Sequence, residues 1–517
     1  MDRQVANASE VLLSRGRPGD VALVDAAGRH TYADLRRAVG HQTQLLLDWD
    51  LPLGSRIALV GGNSASWVAS YLAIMRAGHT AVPLAPVLTA DDIRSKMAHV
   101  GCAGLLIDEI SSRRLPAVTT ASERAAASTG VRELLASGAA CALPDARPPA
   151  ASAVLVFTSG TTSRPRAVMV GHDNVLANTA SIVDYLGLRR DDRMLVVLPF
   201  SYCFGASLLH THLAVGASLR ICETQAFPET IVEAIDDDGC TGFAGVPSSY
   251  QQLLRASSFE SRQLPSLRHL QQAGGRLPSA QVERIAAAQP HARLFVMYGQ
   301  TEATARLAYL PPEMLAAKAG SVGRAIPGVS LRIADECGAD VVPGAVGEIR
   351  ARGANVTQGY WEDAEGTAGR YVDGELLTGD FGRIDEDGFL YVVDRRDDFI
   401  KSWGYRVSSH EVEDAALEVG AVAQAAAVGR PDPDAGEAVV LFATLRPGAV
   451  LGVGEIEAHL RARLAKHLVP HEVRILDHLP LNQNGKVVKT ELRAWARVAA
   501  EAPPAGAELV ELGGHHA

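Results

Sequence analysis

Between Val154 and Val168 a run of hydroxyl-bearing residues separates two short apolar segments. Thr158, Ser159, Thr161, Thr162 and Ser163 offer hydroxyls, Gly160 permits a tight bend, and Arg164 and Arg166 add positive charge. Such a loop can wrap polyanionic oxygens, with backbone N–H groups and hydroxyls turned inward and guanidinium groups offsetting charge. The Walker spacing, two glycines with four residues between them and then Lys and Ser or Thr, cannot be fitted here. Taken alone, the segment also reads as a polar turn between two strands.

Three more clusters follow in order. Val296-Met-Tyr-Gly-Gln-Thr-Glu302 reads as a strand entering a turn, where Gly299 lets the backbone pass close to a ligand. Tyr298 can stack on a purine face, Thr301 can meet a phosphate oxygen, and Glu302 is a hard oxygen ligand suited to Mg²⁺. The same residues also fit a plain strand-to-helix turn capped by threonine. In Leu377-Thr-Gly-Asp380, followed by Asp394-Arg395, an aspartate can accept from both hydroxyls of a ribose and an arginine can donate to the same sugar. Near the end, Leu479-Pro-Leu-Asn-Gln-Asn-Gly-Lys486 reads as a turn at Asn484-Gly485 that presents Lys486 outward.

Together these segments resemble the signatures of the adenylate-forming superfamily, which includes acyl-CoA synthetases, peptide-synthetase adenylation domains and luciferases. The resemblance runs from about Thr31-Tyr-Ala-Asp-Leu35 to Arg493. It implies that Thr158, Ser159, Gly160, Thr161, Thr162 and Arg166 hold the phosphates of ATP. It implies too that Gly274, Gly275 and Arg276 lie against adenine, with Tyr298, Gly299, Gln300 and Thr301 at adenine and the α-phosphate. Glu302 would hold Mg²⁺, and Asp380 and Arg395 the ribose. The resemblance gives Lys486 the charge that develops during adenylation and makes Asp397 a hinge. It places Lys401 and Gly404 in the strip that a domain rotation brings in for thioester formation. Coenzyme A is the expected acceptor. A carrier protein, or release at the adenylate, is the alternative, and a nucleotide-binding pseudoenzyme stands further off. The chain departs from the pattern at Ser163, Arg166 and Ala167, where the family has Gly, Lys and Gly. Guanidinium is a planar fork and ammonium a point charge, so this bears on the rate of ATP turnover.

On the substrate side, Pro199-Phe-Ser-Tyr-Cys-Phe-Gly205 resembles the segment that lines the acyl pocket. Tyr202 is expected to gate the thiol tunnel beside Gly404, with Cys203, Phe204, Phe243 and Gly245 as pocket wall. Arg306, four residues past Glu302, reads either as a pocket residue meeting a polar substituent or as a salt-bridged helix residue. No aspartate is placed to hold an α-amino group, which weighs against an amino acid substrate. Nothing in the sequence names the acid or an oligomeric state.

These residues need a scaffold. A chain of 517 residues is too long for one core. From 55 to 300, short apolar strands (Arg56–Val60, Val154–Phe157, Met194–Leu198, Ser218–Ile221, Gly242–Gly245, Leu294–Met297) alternate with helical patterns (174–185, 229–238, 279–288). That alternation predicts an α/β fold with doubly wound parallel sheets. The stretch 111–152 reads as an excursion or loop. Beyond 320, Gly-punctuated strands predict a β-rich subdomain. After the charged cluster at 394–398 a small, mobile α+β C-terminal domain is expected. The predicted boundaries are 1–394, 395–500 and a disordered tail over 501–517. A formal net charge of −10 argues against nucleic-acid or anionic-membrane binding. The six cysteines form no Cys-x-x-Cys pair, which suits reduced thiols. Asp2, Arg3, Glu10, Arg15 and Arg17 break up any signal-peptide core and no run spans a membrane, so a cytoplasmic protein is expected.

Overall fold

The computed structural model describes residues 5–120, 124–127, 142–158, 166–222, 227–446, 448–482 and 486–497. The expected tail over 501–517 lies outside them. The chain divides into two compact units, Met1–Leu331 with Arg350–Thr378, and Arg332–Ile349 with Gly379–Ala517. The fold is the expected mixed α/β type.

The first unit contains two large sheets. A nine-stranded sheet runs in the order Arg324–Ala325, Ala308–Leu310, Arg293–Tyr298, His269–Gln272, Gly242–Gly245, Arg193–Val196, Ser218–Ile221, Val21–Asp25, Gly28–Thr31. Its five central pairings, from 293–298 to 21–25, are parallel, and the outer strands 28–31, 308–310 and 324–325 pair antiparallel. The second sheet orders Ala125–Ala127, Cys102–Ile107, Arg56–Val60, Thr80–Leu84, Val154–Thr158 and Arg166–Val170, parallel until the last, antiparallel pair. Strands covered on both faces need continuous apolar sequence, and Thr80–Leu84 is buried at every position. The helix Ala65–Arg76 is likewise buried along its whole length. Thr31 and Asp34 form a reciprocal capping box that starts the helix Tyr32–Asp48. Within the expected excursion, Glu109–Arg114 and Pro116–Thr120 are short helices; residues 128–141 lie outside the described set.

The second unit holds a five-stranded sheet in the order Tyr405–Val407, Ile400–Ser402, Gly436–Leu445, Val422–Asp432, with Glu472–Leu476 parallel to Gly436–Leu445. Period-2 alternation along 436–445 feeds two cores. Val439, Leu441 and Ala443 pack with Val412, Ile456 and Leu460, while Val440 and Phe442 pack with Leu479, Leu492 and Ala496. Leu390–Arg395 pairs with the Asp380–Ile384 part of its neighbour. The division into compact units falls within the strand Glu375–Ile384, between Thr378 and Gly379.

The first unit buries neutral histidines. Desolvation lowers His79, His172 and His210 from the ordinary value of 6.5 to about 4. His172 Nδ1 accepts the Ala8 N–H at 3.0 Å, a bond open only to the uncharged ring, and His210 Nε2 lies 3.0 Å from the Tyr71 hydroxyl. Between pH 6.5 and 4 the unfolded chain binds these protons and the folded one does not, so stability rises with pH across that window. The expected result is a denaturant midpoint that falls steadily from pH 7 to pH 4.5. A midpoint that holds level over that range would remove the buried histidines as its cause.

Candidate active site

In the first unit, Thr158 and Arg166 sit directly opposite each other on antiparallel strands, at the two ends of the hydroxyl-rich loop. Ser159, Gly160, Thr161 and Thr162 fall outside the described residues. Arg166 Nε lies 3.3 Å from Asp363 Oδ2, and its guanidinium stands over the Tyr360 ring at 5.1 Å. The Tyr360 hydroxyl donates to Glu302 Oε1 at 2.9 Å. One aromatic ring therefore links the cation at the end of the loop to the candidate magnesium ligand. Burial, and then the Glu302 carboxylate, push the Tyr360 phenol up to about 12, so it remains a donor.

Glu302 and Thr301 belong to a single 3₁₀ turn, Thr301–Ala303, that follows the strand Arg293–Tyr298. The turn is pinned on several sides. Thr357 gives both its N–H and its hydroxyl to the Glu302 carbonyl at 2.9 Å. Thr304 closes the turn at φ 65°, a left-handed conformation costly for a β-branched residue, and its hydroxyl donates to the Asn355 carbonyl at 2.7 Å. Asn355 in turn donates to the carbonyls of Ala303 and Arg306. Gly299 is required by packing, since a Cβ there would overlap the Ala305 carbonyl oxygen. Gln300 accepts from Arg370 at 3.1 Å. The Thr301 hydroxyl reaches Cys203 Sγ at 3.5 Å, which ties this turn to the start of the helix Cys203–Val215.

Gly274 takes φ +86°, where a side chain would press on Val246 and come within 3.5 Å of the Tyr202 hydroxyl. Gln272 Nε2 donates to the Gly275 carbonyl at 2.8 Å and fixes the bend that carries Arg276. Tyr202 and Cys203 thus approach both the Gly274 loop and the Thr301 turn. They also line a cavity of about 20 Å³ with Phe200, Ala206, Thr304 and Ala305, about enough for one water. Phe204, Phe243 and Gly245 are not in that lining. Phe243 packs edge-on against Tyr250 at 5.4 Å, and a Cβ on Gly245 would meet Ser249 and the Tyr250 ring. Arg306 follows a 3₁₀ turn instead of extending a helix, and it is fully buried above the Phe204 ring at 4.0 Å.

The remaining candidates belong to the second unit. Asp380 and Arg395 are cross-strand partners, Arg395 Nε standing 3.3 Å from Asp380 Oδ1, with the carboxylate buried and the guanidinium 61% exposed. A donor and an acceptor thereby meet on one edge, as recognition of a diol requires. Asp394 is wholly buried and accepts the Ser409 N–H at 2.6 Å and both serine hydroxyls, capping the helix Ser409–Leu417. Beside Asp397, whose carbonyl accepts from Arg493, burial would raise the Asp398 carboxyl, but Lys489 and Arg493 outweigh it and hold it below the ordinary range. Trp403 and Gly404 both have positive φ, 53° and 78°, as a two-residue hairpin between Ile400–Ser402 and Tyr405–Val407 demands. Gly404 is therefore explained by the turn itself; Lys401 is exposed on the adjoining strand. Lys486 sits at the base of the loop whose tip, Asn484-Gly485, lies outside the described residues. Its N–H donates to Asn482 Oδ1 and its carbonyl accepts from Asn482 N–H, which closes the loop.

Sequence reading missed Tyr360, Asp363 and the Asn355–Thr357 clamp. Their spacing carries no signal, because only the fold brings the segment 355–363 against Glu302 and Arg166.

A model of the AMP-binding enzyme family matches residues 13–361, and a model of the AMP-binding enzyme C-terminal domain matches 411–486. The chain belongs to the AMP-binding enzyme family. It is 31% identical to a methyl-dioxo-octahydroindenyl-propanoyl:CoA ligase of Rhodococcus jostii, over 91% of this chain and 95% of that protein. It is 30% identical to an indoleacetate–CoA ligase of Aromatoleum aromaticum, over 92% and 95%. Among solved structures it resembles ATP-bound MatB from Rhodopseudomonas palustris, with a TM-score of 0.87, 27% identity and 95% and 99% of the two chains covered. This enzyme also resembles o-succinylbenzoate CoA synthetase from Bacillus subtilis in complex with its acyl-adenylate, with a TM-score of 0.83, 26% identity and 97% and 99% covered. Among its described residues no helix is long and apolar enough to cross a membrane.

Proposed function

We infer that the enzyme is an AMP-forming acid–thiol ligase. A carboxylate attacks the α-phosphorus of ATP, giving an acyl-adenylate and pyrophosphate; coenzyme A then displaces AMP and leaves the thioester. Splitting one hard condensation into two displacements is the gain, since the adenylate is a far better acyl donor than the acid. The observation that carries this reading is the Arg166–Tyr360–Glu302 chain, which joins a cation at one end of the hydroxyl-rich segment to a carboxylate.

Residue roles follow from chemistry. Thr158, Ser159, Gly160, Thr161, Thr162 and Arg166 take the triphosphate; Gly274, Gly275, Arg276, Tyr298, Gly299 and Gln300 take the adenine, and Asp380 with Arg395 the ribose. Glu302 suits Mg²⁺: that ion is commonly held by one or two carboxylates plus substrate phosphates, and among the described residues only Tyr360 hydrogen-bonds this carboxylate. Bound there, Mg²⁺ would neutralise phosphate charge. Tyr360 holds the carboxylate in place, Thr301 donates to an α-phosphate oxygen, and Lys486 offsets the charge on the pentavalent phosphorus. A rotation of residues 395–500 about Asp397 then exchanges Lys486 for the strip Lys401–Gly404, with Tyr202 at the mouth of the thiol tunnel. Arg166 in place of lysine favours its stacked, Asp363-paired position, which a point charge would hold less well.

The acids named for the relatives, an indole acetate and a polycyclic propanoate, make aryl and polycyclic acids the first panel to try. The test is acid-dependent exchange of labelled pyrophosphate into ATP over that panel, followed by acceptor trials with coenzyme A and a holo-carrier protein. Exchange with at least one acid, then AMP and a CoA thioester as products, is the expected result. Exchange followed by transfer only to the carrier protein would move the acceptor assignment. ADP as product, or ATP binding with no exchange for any acid, would end the ligase reading.

A further inference from the structure

Arg306 is the most deeply buried charged side chain near the proposed acyl wall, at 1% exposure. Its surroundings are apolar or weakly polar. The guanidinium lies over Phe204 at 4.0 Å, its Nε donates to Met297 Sδ at 3.4 Å, and it hydrogen-bonds the Tyr185 hydroxyl. No carboxylate among the described residues pairs with it, and Nη2 is buried with no hydrogen-bond partner. Its backbone gives no latitude to escape, because Asn178 and Asn355 both donate to the Arg306 carbonyl, at 3.2 and 2.8 Å.

A buried guanidinium left with an unmet donor is expensive; such groups persist where something satisfies them. Ring stacking offsets a part of the cost but accepts no hydrogen bond. The position is telling as well. Arg306 directly follows Thr304 and Ala305, and Phe204 directly follows Cys203; those three neighbours line the cavity next to Tyr202. Arg306 also comes one short turn past Glu302.

We propose that Arg306 is a specificity residue that receives an oxygen acceptor, a carboxylate or ketone oxygen, carried by the acid at a distance from its reacting carboxylate. The inference rests on the acid-activation reading and narrows its substrate class. A guanidinium fork prefers a planar oxygen acceptor, and Phe204 beneath it favours a flat or cyclic skeleton leading there. A plain hydrocarbon acid would leave Nη2 unpaired in the complex, so the site discriminates against it.

The experiment compares matched acids in pyrophosphate exchange: hexanoate with 5-oxohexanoate and adipate, and 3-phenylpropanoate with its 4-acetyl and 4-carboxy derivatives. In at least one series the oxygenated member should exceed its parent in kcat/KM by about 10- to 100-fold, expressed mainly in KM, as for a hydrogen bond to a charged group. The ketone and carboxylate arms show which acceptor is read. R306M should bring that ratio towards one, and R306K, which keeps charge but not the fork, should retain part of it. Equal use of parent and oxygenated acids by the native enzyme would overturn the proposal. So would an unchanged ratio in R306M or, should that variant fail to fold, in a folded R306K. Exchange with no acid of either series would overturn this inference, while the activation reading falls only if the aryl and polycyclic panel gives no exchange as well.

Discussion

Replacing Lys486 by alanine is expected to lower acid-dependent ATP–pyrophosphate exchange by on the order of 10²–10³-fold, the usual loss when one preorganised donor to a developing charge is removed. Thioester formation from preformed acyl-adenylate and coenzyme A should keep most of its rate. The asymmetry follows from where the lysine sits. It stands at the base of a loop closed by Asn482, and the bonds that close the loop are backbone and Asn482 bonds the substitution spares. Its charge matters only while negative charge accumulates on phosphorus, a state the second displacement does not pass through. Stopped-flow assays of each half-reaction separate the two outcomes. A comparable loss in both would contradict the hinge at Asp397 and the exchange of faces it implies.

Glu302→Gln should cost exchange activity at least about 100-fold, since removing a ligand costs no less than the 10–100-fold typical of its supporting partners, and should raise the Mg²⁺ concentration for half-maximal rate. Glutamine keeps the shape and can still accept from Tyr360 at Oε1, so the turn held by Thr357 should remain intact and thermal stability change little. The charge is what disappears. The Tyr360 phenol, held up to about 12 by burial and then by Glu302, should therefore titrate lower, which ultraviolet difference spectroscopy reads directly. Full exchange at ordinary Mg²⁺ in this variant would exclude Glu302 as the metal ligand, whatever the tyrosine does.

Much of the scaffold was legible because apolar periodicity and glycine placement are local. Arg56–Val60, Ser218–Ile221, Gly242–Gly245 and Ser279–Ala288 occur with the bounds expected of them. Others, such as Arg293–Tyr298, run longer than expected, because pairing along a whole ladder extends strands past their apolar centre. Cross-strand register is not local: nothing in the spacing of Asp380 and Arg395 along the chain sets them opposite each other.

By itself the sequence determined the fold type, through residue type and spacing along the chain, and its resemblance to the adenylate-forming superfamily gave the reaction class. Only the tertiary structure decided that Tyr360 joins Arg166 to Glu302, that Gly404 answers to a hairpin turn, and that Arg306 is buried with a donor unmet. Each is a matter of which distant groups meet and which are shut away from water. Burial and desolvation belong to the packed whole, and no single segment carries them.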